Sequence, residues 1–482
     1  MPTDARPNIL IITGDQHRAD TLGVAGHPCV QTPHLDLLAY QGIRFDNCYT
    51  DCPVCIPART AFITGRRAHE LGCPSYSTEF RVDVPRPEFL GSLLTSAGYQ
   101  TELVGKTHWL TDPDFRAGFE HVTWFAELRR QQMIHAGRPG MLAGPGYNAY
   151  TPSATPFPDH LNEMDWAVDR ATDFLETRER SSPFALWVSV NVPHPPIMAR
   201  EPYFSMYADA DIPEPIDLPW AGGEDEPNPM IRDRVGHNKG PFSPAEVRRI
   251  REVYLGMVTH LDHQIGRLIA QLQMTGDWDN TIILYTADHG DMLGDGGYFG
   301  KRVFLNHSAR VPMIVRLPDA WRQTPGRVSS DLVEWVDILP TLCDVAGAEI
   351  PEAVTGRSWL PALRDGASLG DHVMHGQIDN THMLHDGRHK LIYSVEDGRA
   401  LCFDTVADPE DQRPLGAEHR ERMQRQLLDH LRDEGHDHAT DGGLLNRDEP
   451  RPDLATIRAG DQLGLGPTQY LAQARRDILW IH

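Results

Sequence analysis

Three short runs of this sequence carry an apolar or β-branched residue at almost every position: residues 8–13 (N-I-L-I-I-T), 184–190 (F-A-L-W-V-S-V) and 281–286 (T-I-I-L-Y-T). A strand with one wet face alternates polar and apolar residues, and these do not. Each must therefore be covered on both faces, which is the environment of a parallel sheet between two layers of helices. Further strands are expected at 101–104 and 312–315, with helical spacing between them. Pro33, after Thr32, opens a short helix through Leu35 and Leu38 that Gly42 closes. Phe89, Leu90, Leu93, Leu94 and Ala97 share a helical face ahead of Gly98, and residues 159–180 turn Trp166, Ala167, Ala171, Phe174 and Leu175 inward. Ser243-Pro244-Ala245-Glu246 has capping-box form, and the helix it opens runs to about residue 274. The alternation predicts an α/β fold over residues 1–370: a large, mostly parallel sheet flanked by helices. Residues 371–482 read as a smaller C-terminal α+β subdomain with a small antiparallel sheet, including a hairpin of 390–395 with 400–404 across Glu396-Asp397-Gly398. Residues 137–158 and 195–241 are rich in Pro and Gly and too long to be connectors; they are expected to form loops over the active face.

A net charge of −23 excludes a nucleic-acid partner, which would demand a basic footprint. An anionic substrate then needs locally concentrated positive charge or a metal. No apolar run is long enough to span a bilayer and no signal peptide is visible, so the expectation is a cytoplasmic protein with no membrane partner. Seven cysteines, an odd number, do not suggest a disulfide framework.

Chemistry collects where the strands end. Residues 8–13 are followed by Gly14-Asp15-Gln16, and 101–104 by Gly105-Lys106-Thr107-His108. Residues 184–190 lead to Pro193-His194, and 281–286 to Ala287-Asp288-His289-Gly290-Asp291. Ligands of open α/β sheets bind beyond the carboxyl ends of strands, so these residues share one edge. Asp15, Asp288 and His289, with Gln16, form an oxygen-rich set with one imidazole, suited to a divalent cation: calcium first, then manganese or magnesium. Taken singly, an Asp-His pair is a capping pair, Lys106 a solvated lysine and His194 a loop stiffener; their recurrence after successive strands favours a site. Lys106, His108, His194 and Lys301 would surround an anion.

Cys55-Ile56-Pro57-Ala58-Arg59 opens a short apolar helix that Gly65 stops, with Pro57 placed for the first helical position. A nucleophile at Cys55 would face free N–H groups and the positive end of the helix dipole, beside a guanidinium that matches tetrahedral oxyanions. That arrangement suits a phosphate or sulfate ester.

These motifs, in order, resemble the type I sulfatases of the alkaline phosphatase superfamily. The resemblance runs through Asn8–Gln16, Thr32-Pro33-His34-Leu35-Asp36, Cys55-x-Pro57-x-Arg59 with Thr64-Gly65-Arg66, and Gly105-Lys106-Thr107-His108. It continues through Pro193-His194-x-Pro196, Asp288–Gly294, Gly300-Lys301, Arg310-Val311-Pro312 and Phe403-Asp404 with Asp408-Pro409-Glu410. It implies that a separate modifying enzyme oxidises Cys55 to formylglycine, whose metal-bound hydrate attacks sulfur and later collapses to release sulfate. Cys55 thereby joins Asp15, Gln16, Asp288 and His289 at the metal. Arg59 would steady the hydrate, Lys106, Lys301 and His194 would hold the sulfate oxygens, and His108 would touch the nucleophile or the sulfate. His194 and Lys301 are the candidates for the acid that protonates the leaving oxygen. The family also implies a homo-oligomer, dimer or tetramer. Asp15-Gln16 and Asp288-His289, in place of Asp-Asp and Asp-Asn, bring the chain nearest the choline-sulfatase and phosphonate monoester hydrolase branch, so a phosphonate monoester or phosphodiester is the rival substrate. Asn306-His307-Ser308-Ala309 stands where many relatives carry Glu, and His307 has no assigned role. A separate class remains: Cys48-x-x-x-Cys52-x-x-Cys55 has the spacing of an iron–sulfur ligand set. A sulfatase-like binder with an unmodified Cys55 is the non-enzymatic alternative.

Overall fold

Strands buried on both faces need helices above and below, and the chain supplies both. A computed structural model describes residues 6–76, 82–108, 115–135, 148–235, 241–321 and 324–453. Its main strands are β1 (Asn8–Asp15), β2 (Gly42–Tyr49), β3 (Gln100–Gly105), β4 (His121–Trp124), β5 (Phe184–Pro193), β6 (Thr281–Ala287), β7 (Met313–Arg316) and β8 (Arg327–Glu334). They form one eight-stranded sheet in the order β8-β2-β7-β6-β1-β5-β3-β4. β1 pairs in parallel with β5 and β6, and β5 with β3. Only β7 runs against its neighbours β2 and β6. Alternate residues of β1 enter opposite cores. Ile9 and Ile11 pack with Phe62, Trp187 and Trp335, while Leu10 and Ile12 pack with Leu35, Trp166, Leu261 and Leu268.

The helices that cover the sheet are α1 (Pro33–Tyr40), α2 (Cys55–Thr64), α3 (Glu163–Thr177) and α4 (Pro244–Thr275), among others. Ser243 caps α4 with both bonds of the capping box, and Asn162 caps α3, which therefore starts four residues after the expected position. Gly42 does not close a helix. It opens β2, where a Cβ would come within 1.9 Å of the Val315 carbonyl, so only glycine lets β2 approach β7. β2, β4 and β8 escaped the sequence analysis because their mixed polarity follows neither clear period.

Beyond residue 370 the chain forms a four-stranded antiparallel sheet of β9 (Met374–Ile378), β10 (Thr381–His385), β11 (His389–Ser394) and β12 (Ala400–Asp404). Helix α5 (Ala417–Asp433) lays Met423, Leu427 and Leu431 on one face of it. The other face, through Met383, Ile392 and Phe403, packs on Tyr49, Phe304 and Leu305. Of the expected loop at 195–241, the described part is a packed strap: Tyr203, Tyr207 and Ile212 lie on α4, and Trp220 Nε1 donates to the Asp411 carbonyl at 2.7 Å. Residues 137–147 of the expected loop at 137–158 lie outside the described residues.

Candidate active site

Parallel pairing brings the ends of β6, β1, β5 and β3 side by side, and with them Asp288, Asp15, His194 and Lys106. α2 completes the site from below. All ten of its residues are buried, and Phe62 seats it between Trp187 and Trp335 at ring distances of 4.5 and 5.1 Å. Burying one such ring is worth roughly 1.5–3 kcal/mol, so Cys55 stands on a fixed support. The helix starts at Cys55, so Pro57 is its third residue; its missing N–H falls among the first-turn groups that have no helical partner anyway. No side chain caps this N-terminus, which leaves first-turn N–H groups and the dipole open to an anion. Gly65 ends the helix in the left-handed conformation, φ 64°.

Cys55 Sγ lies 3.1 Å from His289 Nε2, 3.3 Å from Lys301 Nζ and 3.8 Å from Asp15 Oδ1. Asp15, Cys55, Asp288 and His289 present ligand atoms all within 4.8 Å of one another. His289 Nδ1 faces the Gly290 carbonyl at 3.0 Å, so that nitrogen donates and Nε2 turns its lone pair to the carboxylates. Two carboxylates and an imidazole converging on one point, all fully buried, are a donor set that fits a hard divalent cation. Gln16 enters differently. Its backbone N–H donates to Asp288 Oδ1 (3.2 Å), its side-chain oxygen accepts from Lys301 Nζ (2.7 Å), and its amide donates to Tyr150 and Asp291. Gln16 and His108 both hold left-handed backbone, φ 65° and 51°, a strain that L residues keep only where surroundings enforce it.

Arg59 joins the carboxylates: Nε donates to Asp288 Oδ2 (2.8 Å) and Nη2 to Asp15 Oδ2 (3.3 Å), while Nη1 donates to Ser189 Oγ (2.8 Å). Lys106 also pairs with Asp15. Burial and the neighbouring Cys55 oppose the Asp15 carboxylate, but Lys106, His194 and Arg59 outweigh them and hold it well below the usual range. Burial, then repulsion from Asp15, pushes Asp288 up instead. Burial also opposes a Cys55 thiolate, yet Lys301, Lys106 and His289 carry that thiol well below its ordinary value. His108, pulled down by burial and Lys106, interacts with Cys55. His194 Nδ1 meets the Pro195 carbonyl, and its Nε2 accepts from Lys301 Nζ at 2.7 Å.

Three participants were missed in the sequence. Ser189 is the one polar side chain inside the apolar run of β5, and that interruption was the available signal. Tyr150 donates to Asp291 Oδ2 at 2.6 Å from a stretch without periodicity, which gave none. Asp291, quoted only as part of a motif, also accepts from the Gly300 N–H (2.8 Å) and so fixes the turn that carries Lys301. His307 sits apart, 2.7 Å from Asp295 Oδ2 and 2.9 Å from Glu410 Oε2. Cys48 and Cys52 are buried in different apolar clusters, and among the described residues no metal-ligating group contains either one. The iron–sulfur reading is thereby withdrawn; all seven cysteines are free thiols.

Fold and site together define the class: an α/β enzyme of the alkaline phosphatase superfamily. The family follows from comparison with known proteins. A family model described as Sulfatase matches residues 7–348, and the chain belongs to that family. A second model, N-sulphoglucosamine sulphohydrolase, C-terminal, matches residues 294–437. An arylsulfatase of Clostridium perfringens is 31% identical, over 94% of this chain and 100% of that protein. A choline-sulfatase of Rhizobium meliloti is 28% identical, over 89% of this chain and 86% of its own length. Among solved structures, a phosphonate monoester hydrolase from Silicibacter pomeroyi superposes with a TM-score of 0.75 at 27% identity, covering 92% of this chain and all of that one. The protein is a sulfatase. No helix among the described residues is long and apolar enough to cross a membrane.

Proposed function

We propose that this enzyme hydrolyses a small-molecule sulfate monoester at Cys55, converted to formylglycine by a separate enzyme, with a divalent cation held by Asp15, Asp288 and His289. The observation that carries the reading is the position of Cys55 Sγ, between the imidazole of the cation pocket (3.1 Å) and the Lys301 ammonium (3.3 Å). Sγ marks where the hydroxyls of the modified residue stand. Calcium is the ion the oxygen-rich set suits best. Bound there, it would supply Lewis-acid stabilisation of the nucleophile; one hydroxyl of the formylglycine hydrate would attack sulfur, and loss of the proton from the second would break the carbon–oxygen bond to the sulfated one, restoring the aldehyde and releasing sulfate.

The chain's own residues do the rest. Arg59 holds Asp15 and Asp288 apart at a fixed spacing and is itself fixed by Ser189. Lys106 and Lys301 bracket the sulfate oxygens, placed before charge develops there. The alcohol leaves as an alkoxide unless a proton reaches it. Lys301 Nζ, which donates to His194 Nε2, is positioned to deliver that proton, either itself or through the imidazole it is paired with.

Peptide mass spectrometry on the tryptic fragment 45–59 tests the nucleophile. Formylglycine at Cys55 supports the reading; an unmodified thiol from a host that possesses the modifying enzyme overturns it and leaves the non-enzymatic binder. Relative rates on an aryl sulfate, a phosphate monoester and an aryl phosphonate test the substrate. Sulfate preference is expected, whereas faster phosphonate turnover would transfer the assignment to the rival ester that the structural similarity brings forward.

A further inference from the structure

Away from the active site, six histidines and one glutamate gather where the segment after α2 meets α5 and the small antiparallel sheet. His69 follows the nucleophile helix, His375 lies on β9 and His382 on β10, His430 lies near the end of α5, and Glu434, His436 and His438 lie just after it. Within this cluster the polar atoms divide sharply into those with partners and those without. His436 is satisfied at both nitrogens: Nδ1 accepts from the His438 N–H (3.1 Å) and Nε2 faces Gln377 Oε1 (3.0 Å). His382 is engaged at both, with His375 Nε2 at 3.0 Å and His438 Nδ1 at 2.8 Å. By contrast, His69 Nδ1 and Nε2, His375 Nδ1 and His430 Nε2 are buried and make no hydrogen bond.

Those orphaned nitrogens surround one carboxylate. Glu434 Oε2 lies 3.4 Å from His375 Nδ1 and 3.5 Å from His69 Nε2, and Oε1 lies 3.0 Å from His430 Nε2, none of them aligned as a hydrogen bond. The spacing is informative. Zinc bonds nitrogen and carboxylate oxygen at about 2.0–2.1 Å, so two tetrahedral ligand atoms stand about 3.3 Å apart. The Glu434 contacts with His69 and His375 match that edge length. The imidazole chain behind them supplies the remaining requirement. If His375 Nε2–H donates to His382 Nδ1, and His382 Nε2–H to His438 Nδ1, then His375 Nδ1 is left with its lone pair toward Glu434. A lone pair opposite a carboxylate repels unless a cation lies between.

We propose a second metal site, formed by His69, His375 and Glu434 with His430 beside them, for a borderline divalent transition metal, zinc by preference. Three imidazoles and one carboxylate select zinc, nickel or copper over calcium, so this site and the oxygen-rich catalytic pocket take different ions. It clamps α5 and β9 to the segment that follows the nucleophile helix. Its role is structural, since neither Cys55 nor any other catalytic candidate belongs to it.

The test uses full-length enzyme dialysed against a chelator and reconstituted with zinc or cobalt in the presence of excess calcium. Wild type and D288N are expected to retain one zinc per chain and to show the visible bands of tetrahedral cobalt. H69Q and E434Q are expected to lose the zinc and the bands while keeping arylsulfatase activity at permissive temperature. They should also lose the rise in thermal midpoint that zinc gives wild type. Two results would overturn the site: zinc that disappears in D288N but persists in H69Q and E434Q, or no zinc and no cobalt bands in folded wild type. The second would leave an imidazole–carboxylate cluster only. Neither result touches the assignment of Cys55, which the mass of fragment 45–59 reports separately.

Discussion

Lys301 and His194, 107 residues apart in sequence, meet with Nζ 2.7 Å from Nε2, and Lys301 Nζ also reaches Cys55 Sγ at 3.3 Å. A proton donor and a proton acceptor are thus paired beside Cys55. If the pair protonates the leaving alcohol, removing it hurts most when the alcohol is a poor leaving group. His194→Ala and Lys301→Ala are expected to lower kcat/KM on alkyl sulfates by about 10²–10⁴-fold, and much less on an aryl sulfate with an acidic phenol. Equal losses on both substrates would assign the pair to sulfate binding alone.

Ser189 accepts from Arg59 Nη1 at 2.8 Å in a fully buried setting. Ser189→Ala leaves that guanidinium N–H unpaired, at a cost of about 1–3 kcal/mol. The expected outcome is a lower thermal midpoint together with reduced kcat, because Arg59 also spaces Asp15 and Asp288. A Ser189→Thr variant that keeps the hydroxyl in reach should recover kcat more than stability. Alanine with unchanged kcat would show that Arg59 needs no such anchor.

Gly105 ends β3 at φ 103°, and a Cβ there would stand 2.1 Å from the Ser189 carbonyl. Gly105→Ala must push β3 and β5 apart where Lys106 and Ser189 enter the site. Overpacking of this kind costs typically 1–3 kcal/mol, and the left-handed backbone adds to it. Urea titration should show the loss of stability, and activity should fall further than for alanine at an exposed glycine such as Gly416. Wild-type behaviour of Gly105→Ala would disprove this packing.

His307 is raised to about 9: burial and Arg18 oppose its charge, but Asp20 and Asp295 prevail. Its folded pKa lies above the unfolded value of 6.5, so its contribution is fully present below pH 6.5 and is lost as pH rises through about 9. The difference corresponds to about 3 kcal/mol at most. Urea midpoints measured at successive pH values should decline over that window in wild type and stay flatter in His307→Gln. Parallel curves would place the alkaline sensitivity elsewhere.

Chelation is the last expectation. With Asp15 and Asp288 facing each other in a buried pocket, stripping the enzyme of divalent cations should abolish turnover and lower the thermal midpoint, and calcium should restore both. Full activity after exhaustive chelation, with no bound metal by elemental analysis, would remove the cation from the mechanism.

Much of this protein is written locally. The largely apolar runs at β1, β5 and β6 have no stable solution except burial on both faces, and the residues after each run then have to share one edge of the sheet. Capping at Ser243 and the left-handed stop at Gly65 are likewise readable, because they depend on neighbours within a few residues. Other features were decided only by the folded chain. Gly42 looks like a helix stop until β7, far along the chain at Met313–Arg316, arrives beside it. Cys48, Cys52 and Cys55 look like a ligand set until helix and strand geometry sends them into separate environments. Tyr150 and Ser189 become site residues, and His69 and His375 companions of Glu434, only through contacts between distant segments. Sequence sets which residue types are present and the local period that turns them in or out; long-range packing fixes which of their atoms meet, because a hydrogen bond or a coordination sphere tolerates only tenths of an ångström.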